Sequence, residues 1–224
     1  DGGPLAWVPP PCAAGRPADA RDPGFRFRCF FQHDSMNFLW GKLYRRSFLT
    51  EHGLRVGEQT YMEDKLFQLC ACLCRPAYAF VSQSVLLYRQ NGRSLSRRYR
   101  RDIPENVEDV CASLLRFAAG HGGEEAARDL MALTALRGVF AAADHELAHG
   151  QGFRSCARQV KRCMELPAIR QGVQALARGR GLRGIPTLFW RAAVWGSAVA
   201  ASCRCYRLFA LLTALAGRLL SIRN

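Results

Sequence analysis

The chain has 224 residues, 49% of them hydrophobic and 22% charged, with a formal net charge of +14. That apolar content excludes a wholly disordered chain, and the length admits one or two domains. The charge is uneven: residues 151–224 hold thirteen Lys or Arg against one acid, Glu165, a balance of +12, whereas residues 1–150 hold nineteen bases against seventeen acids, a balance of +2.

Residues 1–24, with Pro9, Pro10, Pro11 and Pro17, read as linker or loop, and no signal-peptide pattern follows Asp1. Phe25 to His33 begins with alternating apolar and basic residues, which predicts a short strand or extended segment. From Met36 to Glu51 the apolar positions Phe38, Leu39, Leu43, Phe48 and Leu49 recur near helical spacing around Gly41. This predicts a loop and then a short helix ending before Gly53. Residues 53–61 form a polar loop that leads into Glu63 and Asp64. Leu66, Phe67, Leu69, Cys70 and Leu73 then follow a helical period until Pro76 stops it. Residues 77–88, rich in Val, Tyr and Phe, predict one or two short strands.

Residues 89–101 form a strongly cationic loop, with five arginines from Arg93 to Arg101. Asp102 and Glu105 have the spacing of a capping box, predicting a helix to about Ala119. Further helices are expected over residues 124–147 and 155–166, the second limited by Pro167, with a glycine-rich basic hinge at 179–184. In the tail, the apolar stretches 192–203 and 208–217 are each shorter than the roughly 20 residues that a membrane span needs. On a helical projection Arg204, Arg207 and Arg218 cluster beside an apolar surface of Trp195, Phe209, Leu212 and Leu220. Such an arrangement suits either a helix lying in a membrane surface or one packed on the domain.

Ten cysteines are present, yet Cys-x-x-Cys occurs nowhere, and Cys70, Cys72 and Cys74 cannot all share one helix face. The spacing predicts buried free thiols rather than a zinc site, and a reducing compartment. Only Lys42, Lys65 and Lys161 are lysines. Arginine forks suit phosphate, and a biased genome produces the same skew.

Chemistry enters where two adjacent carboxylates, Glu63 and Asp64, open a helix between an aromatic, cationic segment and a Tyr-Arg-Gln-Asn-Gly-Arg-Ser segment. A positioned carboxylate serves as a base toward a hydroxyl. Acids in a first helical turn are also favoured by the helix dipole alone. The order Lys42-Leu-Tyr-Arg-Arg46, then Glu63-Asp64, then Tyr88-Arg89 to Ser94 resembles the acceptor-side half of family-2 glycosyltransferases, inverting enzymes of the GT-A fold. The resemblance spans roughly residues 36–98.

It implies that Asp64 is the general base of a single-displacement transfer and that Glu63 supports it. It implies further that Trp40, Gly41, Lys42 and Tyr44 line the acceptor side, and that Arg89, Arg93 and Ser94 contact the departing diphosphate. Core packing for Trp40 and Tyr44, and a pairing of Lys42 with Glu51 or Glu58, are the plainer alternatives.

The implied fold is an incomplete α/β, GT-A-like domain at 25–101, then a mostly α-helical region at 102–184 and a basic amphipathic helical tail at 185–224. Family members use a divalent ion, Mg or Mn, held by an Asp-x-Asp pair that this sequence lacks. The chain therefore reads as the C-terminal part of a longer protein and as inactive alone. The expected partners are a nucleotide-sugar donor and a glycan or lipid-linked acceptor in surface polysaccharide synthesis, at the cytoplasmic face of a membrane. The rival reading is a non-catalytic helical module whose basic tail grips an anionic membrane or nucleic acid. Nucleic acid is disfavoured, since no finger, recognition aromatics or phosphate loop is present.

Overall fold

The computed structural model describes residues 18–83, 85–86 and 98–221, of which 216–221 are described as backbone only. The architecture is mostly α-helical. Strand β1 (Ala18–Asp19) leads to α1 (Pro23–Phe27), which runs into a π-helical turn at Arg28–Gln32. Next come α2 (Arg46–Glu51), α3 (Glu63–Leu73) and β2 (Ala77–Tyr78). The helical remainder is α4 (Ile103–His121), α5 (Glu124–Ala148), α6 (Gly152–Glu165), α7 (Pro167–Ala177), α8 (Leu188–Ser202) and α9 (Tyr206–Ser221).

Among the described residues the sheet is a single antiparallel pair, with Ala18 opposite Tyr78 and Asp19 opposite Ala77. Within residues 25–101 the described elements are α1, the π-helical turn, α2, α3 and β2, while residues 84 and 87–97 lie outside the described residues. Phe25 to His33 is helical, not extended. Asp22 caps it, its carboxylate accepting from the N–H groups of Gly24 (2.8 Å) and Phe25 (2.9 Å), and Pro23 fills the first turn. The apolar alternation arises because the short helix is covered on two sides. Phe25 meets Tyr78 and Phe80, while Phe27 meets Phe31 and Trp190. Residues 18–24, read as linker, already belong to this folded unit; residues 1–17 lie outside the described residues.

Helix α5 is the hub. It packs against α4, α6, α7 and α9, and is buried on several sides through small residues such as Ala127, Ala135, Gly138 and Ala143. One continuous core runs from Ala20 to Ala210 and includes side chains from the first, middle and tail segments.

Pro167 does not close the helical region but starts α7. Leu166 before it is extended (ψ 132°), as the residue preceding proline prefers. Glu108 of α4 then caps α7 from across the fold, accepting from the N–H groups of Ala168 (2.8 Å) and Ile169 (2.9 Å). Asp102 is not the side-chain cap that its spacing suggests. Its carboxylate takes Nε (3.0 Å) and Nη2 (2.7 Å) of Arg100 and Nδ2 of Asn106 (3.0 Å), while Glu105 pairs with Arg162.

The tail helices pack on the domain. Phe209 lies fully buried against Phe140, and Nε1 of Trp195 donates to the Ala177 carbonyl. Of the apolar surface expected, Phe209 is turned into the domain, as the packed alternative has it, Leu212 is half-buried and Trp195 stays 48% exposed, while the side chains of Arg218 and Leu220 lie outside the described residues. Among the described residues no helix is long and apolar enough to cross a membrane. Nine of the ten cysteines are described, and all nine are free thiols.

Candidate active site at the start of helix α3

Helix α3 begins where Met62 turns into the left-handed region (φ 64°) and the chain then enters the helix at Glu63. That conformation is uncommon for a residue with a side chain and marks an imposed turn. The turn is clasped from outside by Arg100, which donates to the Thr60 carbonyl (2.9 Å) and Thr60 Oγ1 (2.8 Å) and lies 5.4 Å from the Tyr61 ring centroid. Arg100, near the end of the cationic loop, therefore shapes the turn that leads into the acidic pair. Glu63 is half-buried within the electrostatic reach of Arg100.

Asp64 does not cap its own helix. Its Oδ2 accepts from the N–H of Leu39 (3.3 Å), so the carboxylate ties the loop of residues 34–45 to α3. Its Oδ1 accepts no hydrogen bond from the described residues. Gln68, four residues on and on the same helix face, completes the tie. Its Nε2 donates to the Phe38 carbonyl (2.9 Å) and to the Tyr44 hydroxyl, while its buried Oε1 finds no partner.

Lys42 bridges the loop rather than pairing with Glu51 or Glu58, as Nζ donates to the carbonyls of Ser35 (3.3 Å) and Phe38. Burial pushes its ammonium down to about 8, with the charge of Asp64 acting in the opposite direction. Burial likewise raises the Tyr44 phenol, with the Gln68 hydrogen bond opposing and Asp64 reinforcing. Lys42 and Tyr44 thus share the field of Asp64.

Tyr44 packs edge-on against Phe67 (5.5 Å) and belongs to the fold as much as to the site. Trp40 does not enter the core. It is 44% exposed and stacks on Phe38 at 4.6 Å with the rings 18° apart. The pair lies at the rim of the site. Gly41 beside it takes φ 70°, a backbone that a side chain resists.

Of the nine residues singled out from the sequence, Asp64, Glu63, Trp40, Gly41, Lys42 and Tyr44 fall in this one region. Arg89, Arg93 and Ser94 lie outside the described residues. Gln68, Phe38 and the Ser35 carbonyl were not anticipated; the spacing of Gln68 from Asp64 was the available signal. An open cavity of about 310 Å³ lies at the two-stranded sheet, lined by Ala18, Asp19, Arg21, Arg75, Pro76 and Ala77, none of which belongs to this site.

Among the described residues no group of three or more His, Cys, Asp or Glu is placed to hold a metal ion. With no Asp-x-Asp in the sequence either, these residues do not fit the divalent ion that the resemblance implies. Comparison with known proteins finds no matching family model, curated protein or solved structure.

Proposed function

We propose that the chain forms the acceptor side of an inverting glycosyltransferase of the family-2, GT-A kind, with Asp64 as the base for the incoming hydroxyl. The observation that carries this reading is the convergence on Asp64. A carboxylate with one oxygen pinned by Leu39 N–H keeps the other without a hydrogen bond from the described residues, beside Lys42, Tyr44 and the Phe38–Trp40 pair.

In the proposed reaction the acceptor hydroxyl approaches Asp64 Oδ1, with Trp40 and Phe38 at the rim on the acceptor side. Its oxygen attacks the anomeric carbon of a nucleotide-sugar, the bond to the diphosphate breaks, and the leaving diphosphate takes the electron pair. The proton passes to the Asp64 carboxylate. The Leu39 N–H holds that carboxylate in place, and its fixed position contributes alignment as well as basicity. Lys42 keeps the loop closed over α3, and Glu63 faces Arg100 at the entrance.

Arg89, Arg93 and Ser94 carry the diphosphate contacts in this reading, and the strand-rich half that holds the nucleotide-sugar lies outside these residues. No step is assigned to a metal ion. The acceptor is a glycan or lipid-linked sugar destined for a surface polysaccharide.

The test is sugar transfer from a panel of nucleotide-sugars by the encoded polypeptide bearing Asp64→Asn. The amide oxygen still accepts from Leu39, so the fold is preserved, and transfer falls by roughly 10²- to 10⁴-fold, the usual worth of a positioned base. A purely structural tie gives the opposite outcome: the variant folds and turns over like wild type.

A further inference from the structure

Helix α9 carries a second feature that the candidate active site does not use. At about 100° per residue, Leu208, Leu211 and Leu215 fall within roughly 60° of one another. They are 49%, 47% and 48% exposed. On the same wheel Phe209, Ala210 and Thr213, all buried, point to the opposite side, into α5 and α6. The leucines therefore form an outward stripe that no described residue covers.

Charge says what covers it. Arg204 and Arg207, both exposed, sit at the start of α9, and α6, packed alongside, exposes Arg154, Arg158 and Lys161. Residues 151–224 as a whole hold thirteen bases against the single acid Glu165. The neighbouring helix α5 exposes one acid, Asp144. An apolar stripe on a short helix, in a segment with a single acid, matches the interface of an anionic bilayer: headgroup phosphates meet the arginines and the leucines enter the acyl boundary. Over its 16 described residues α9 is not long enough to cross, and it is suited to lie in the plane.

We infer that the outer face of α9, with Leu208, Leu211 and Leu215 beside Arg204 and Arg207, docks the protein on an anionic lipid surface. The inference is independent of the role given to Asp64.

Flotation of the 224-residue chain with vesicles of phosphatidylcholine alone, and of phosphatidylcholine and phosphatidylglycerol in equal parts, is the test. Wild type floats with the mixed vesicles and not with the neutral ones. The triple variant Leu208→Ser, Leu211→Ser, Leu215→Ser loses at least about tenfold in binding, as does Arg204→Gln with Arg207→Gln, while Val56→Ser, at an exposed position before α3, does not.

Circular dichroism guards against unfolding, which the outward placement of the leucines disfavours. Any of these results would overturn the inference: equal recovery with both vesicles, no recovery with either, flotation undiminished in the leucine variant, or a wild-type dimer that the leucine variant dissolves with no vesicle binding. Capture by duplex nucleic acid without flotation would do the same.

Discussion

Replacing Gly138 with alanine isolates the packing that holds the helical region together. A Cβ built at Gly138 lies 2.3 Å from Cγ1 and 2.7 Å from Cγ2 of Val107, where α5 crosses α4. Ordinary carbon contacts are nearer 3.5–4 Å. Valine in a helix has one dominant χ1 rotamer, so its methyl groups cannot swing clear, and the two helices must separate by about 1 Å or more.

Overpacking of this kind costs about 1–3 kcal/mol, against which alanine gains about 1 kcal/mol over glycine in helix propensity. The tight contact places the overpacking near its upper end and leaves a net loss of about 1–2 kcal/mol. For a chain of this length that lowers Tm by roughly 2–8 °C. Urea unfolding followed by circular dichroism measures it.

Two companions sharpen the test. Gly196→Ala, in α8 with nothing within 4 Å of its Cβ, stabilises by about 1 kcal/mol. Val107→Ala combined with Gly138→Ala is less destabilised than the sum of the single changes, because each relieves the other. A Gly138→Ala variant as stable as wild type, or more so, would refute the close approach of α4 and α5.

Other consequences of the structure are equally measurable. Glu108→Ala removes the shared cap of Ala168 and Ile169 and destabilises by about 1–2 kcal/mol, seen as a lower urea midpoint with unchanged slope. Arg75 holds φ 56° just past α3, so Arg75→Gly relieves a left-handed strain and raises stability by about 1 kcal/mol. Burial pushes Cys70, Cys72 and Cys163 up to about 12, so a thiol reagent at neutral pH spares them until the protein unfolds, while exposed Cys203 and Cys205 react at once.

The hydrogen bonds from Arg100 hold the Asp102 carboxyl down to about 2, against an ordinary 3.8. Its contribution is full above pH 4 and lost as pH falls through 2, so the stability difference between wild type and Asp102→Asn closes over that interval in acid denaturation.

What the sequence disclosed, and what it hid, follows from the range of the interactions involved. Helix α3 was legible because its period, its first-turn acids and Pro76 are all local. Helices α4 and α5 were legible too, although Asp102 serves Arg100 rather than the helix end. Helix α7 was missed because the group that starts it, Glu108, sits 60 residues away on α4; Pro167 alone reads as a stop. The turn of α1 was misread because burial on two sides imitates the alternation of a strand, and the Asp22 cap with Pro23 was the overlooked signal.

In the site, the carboxylates and the Trp40 to Tyr44 loop were visible as a motif. The hydrogen bond from Leu39 to Asp64 joins positions 25 apart, and no local pattern announces it. On the tail, periodicity put Phe209 on the apolar side and left open whether that side meets a membrane or the domain; contact with Phe140 draws it inward, and Leu208, Leu211 and Leu215 face out.

Steady-state transfer by the encoded polypeptide, with the acceptor varied, separates the roles most directly. The account predicts that Asp64→Asn lowers kcat with acceptor KM nearly unchanged, because the proton is moved only as the bond forms, whereas Trp40→Ala raises acceptor KM. An Asp64→Asn enzyme with wild-type kcat, or one altered in KM alone, would contradict the assignment of Asp64 as the base.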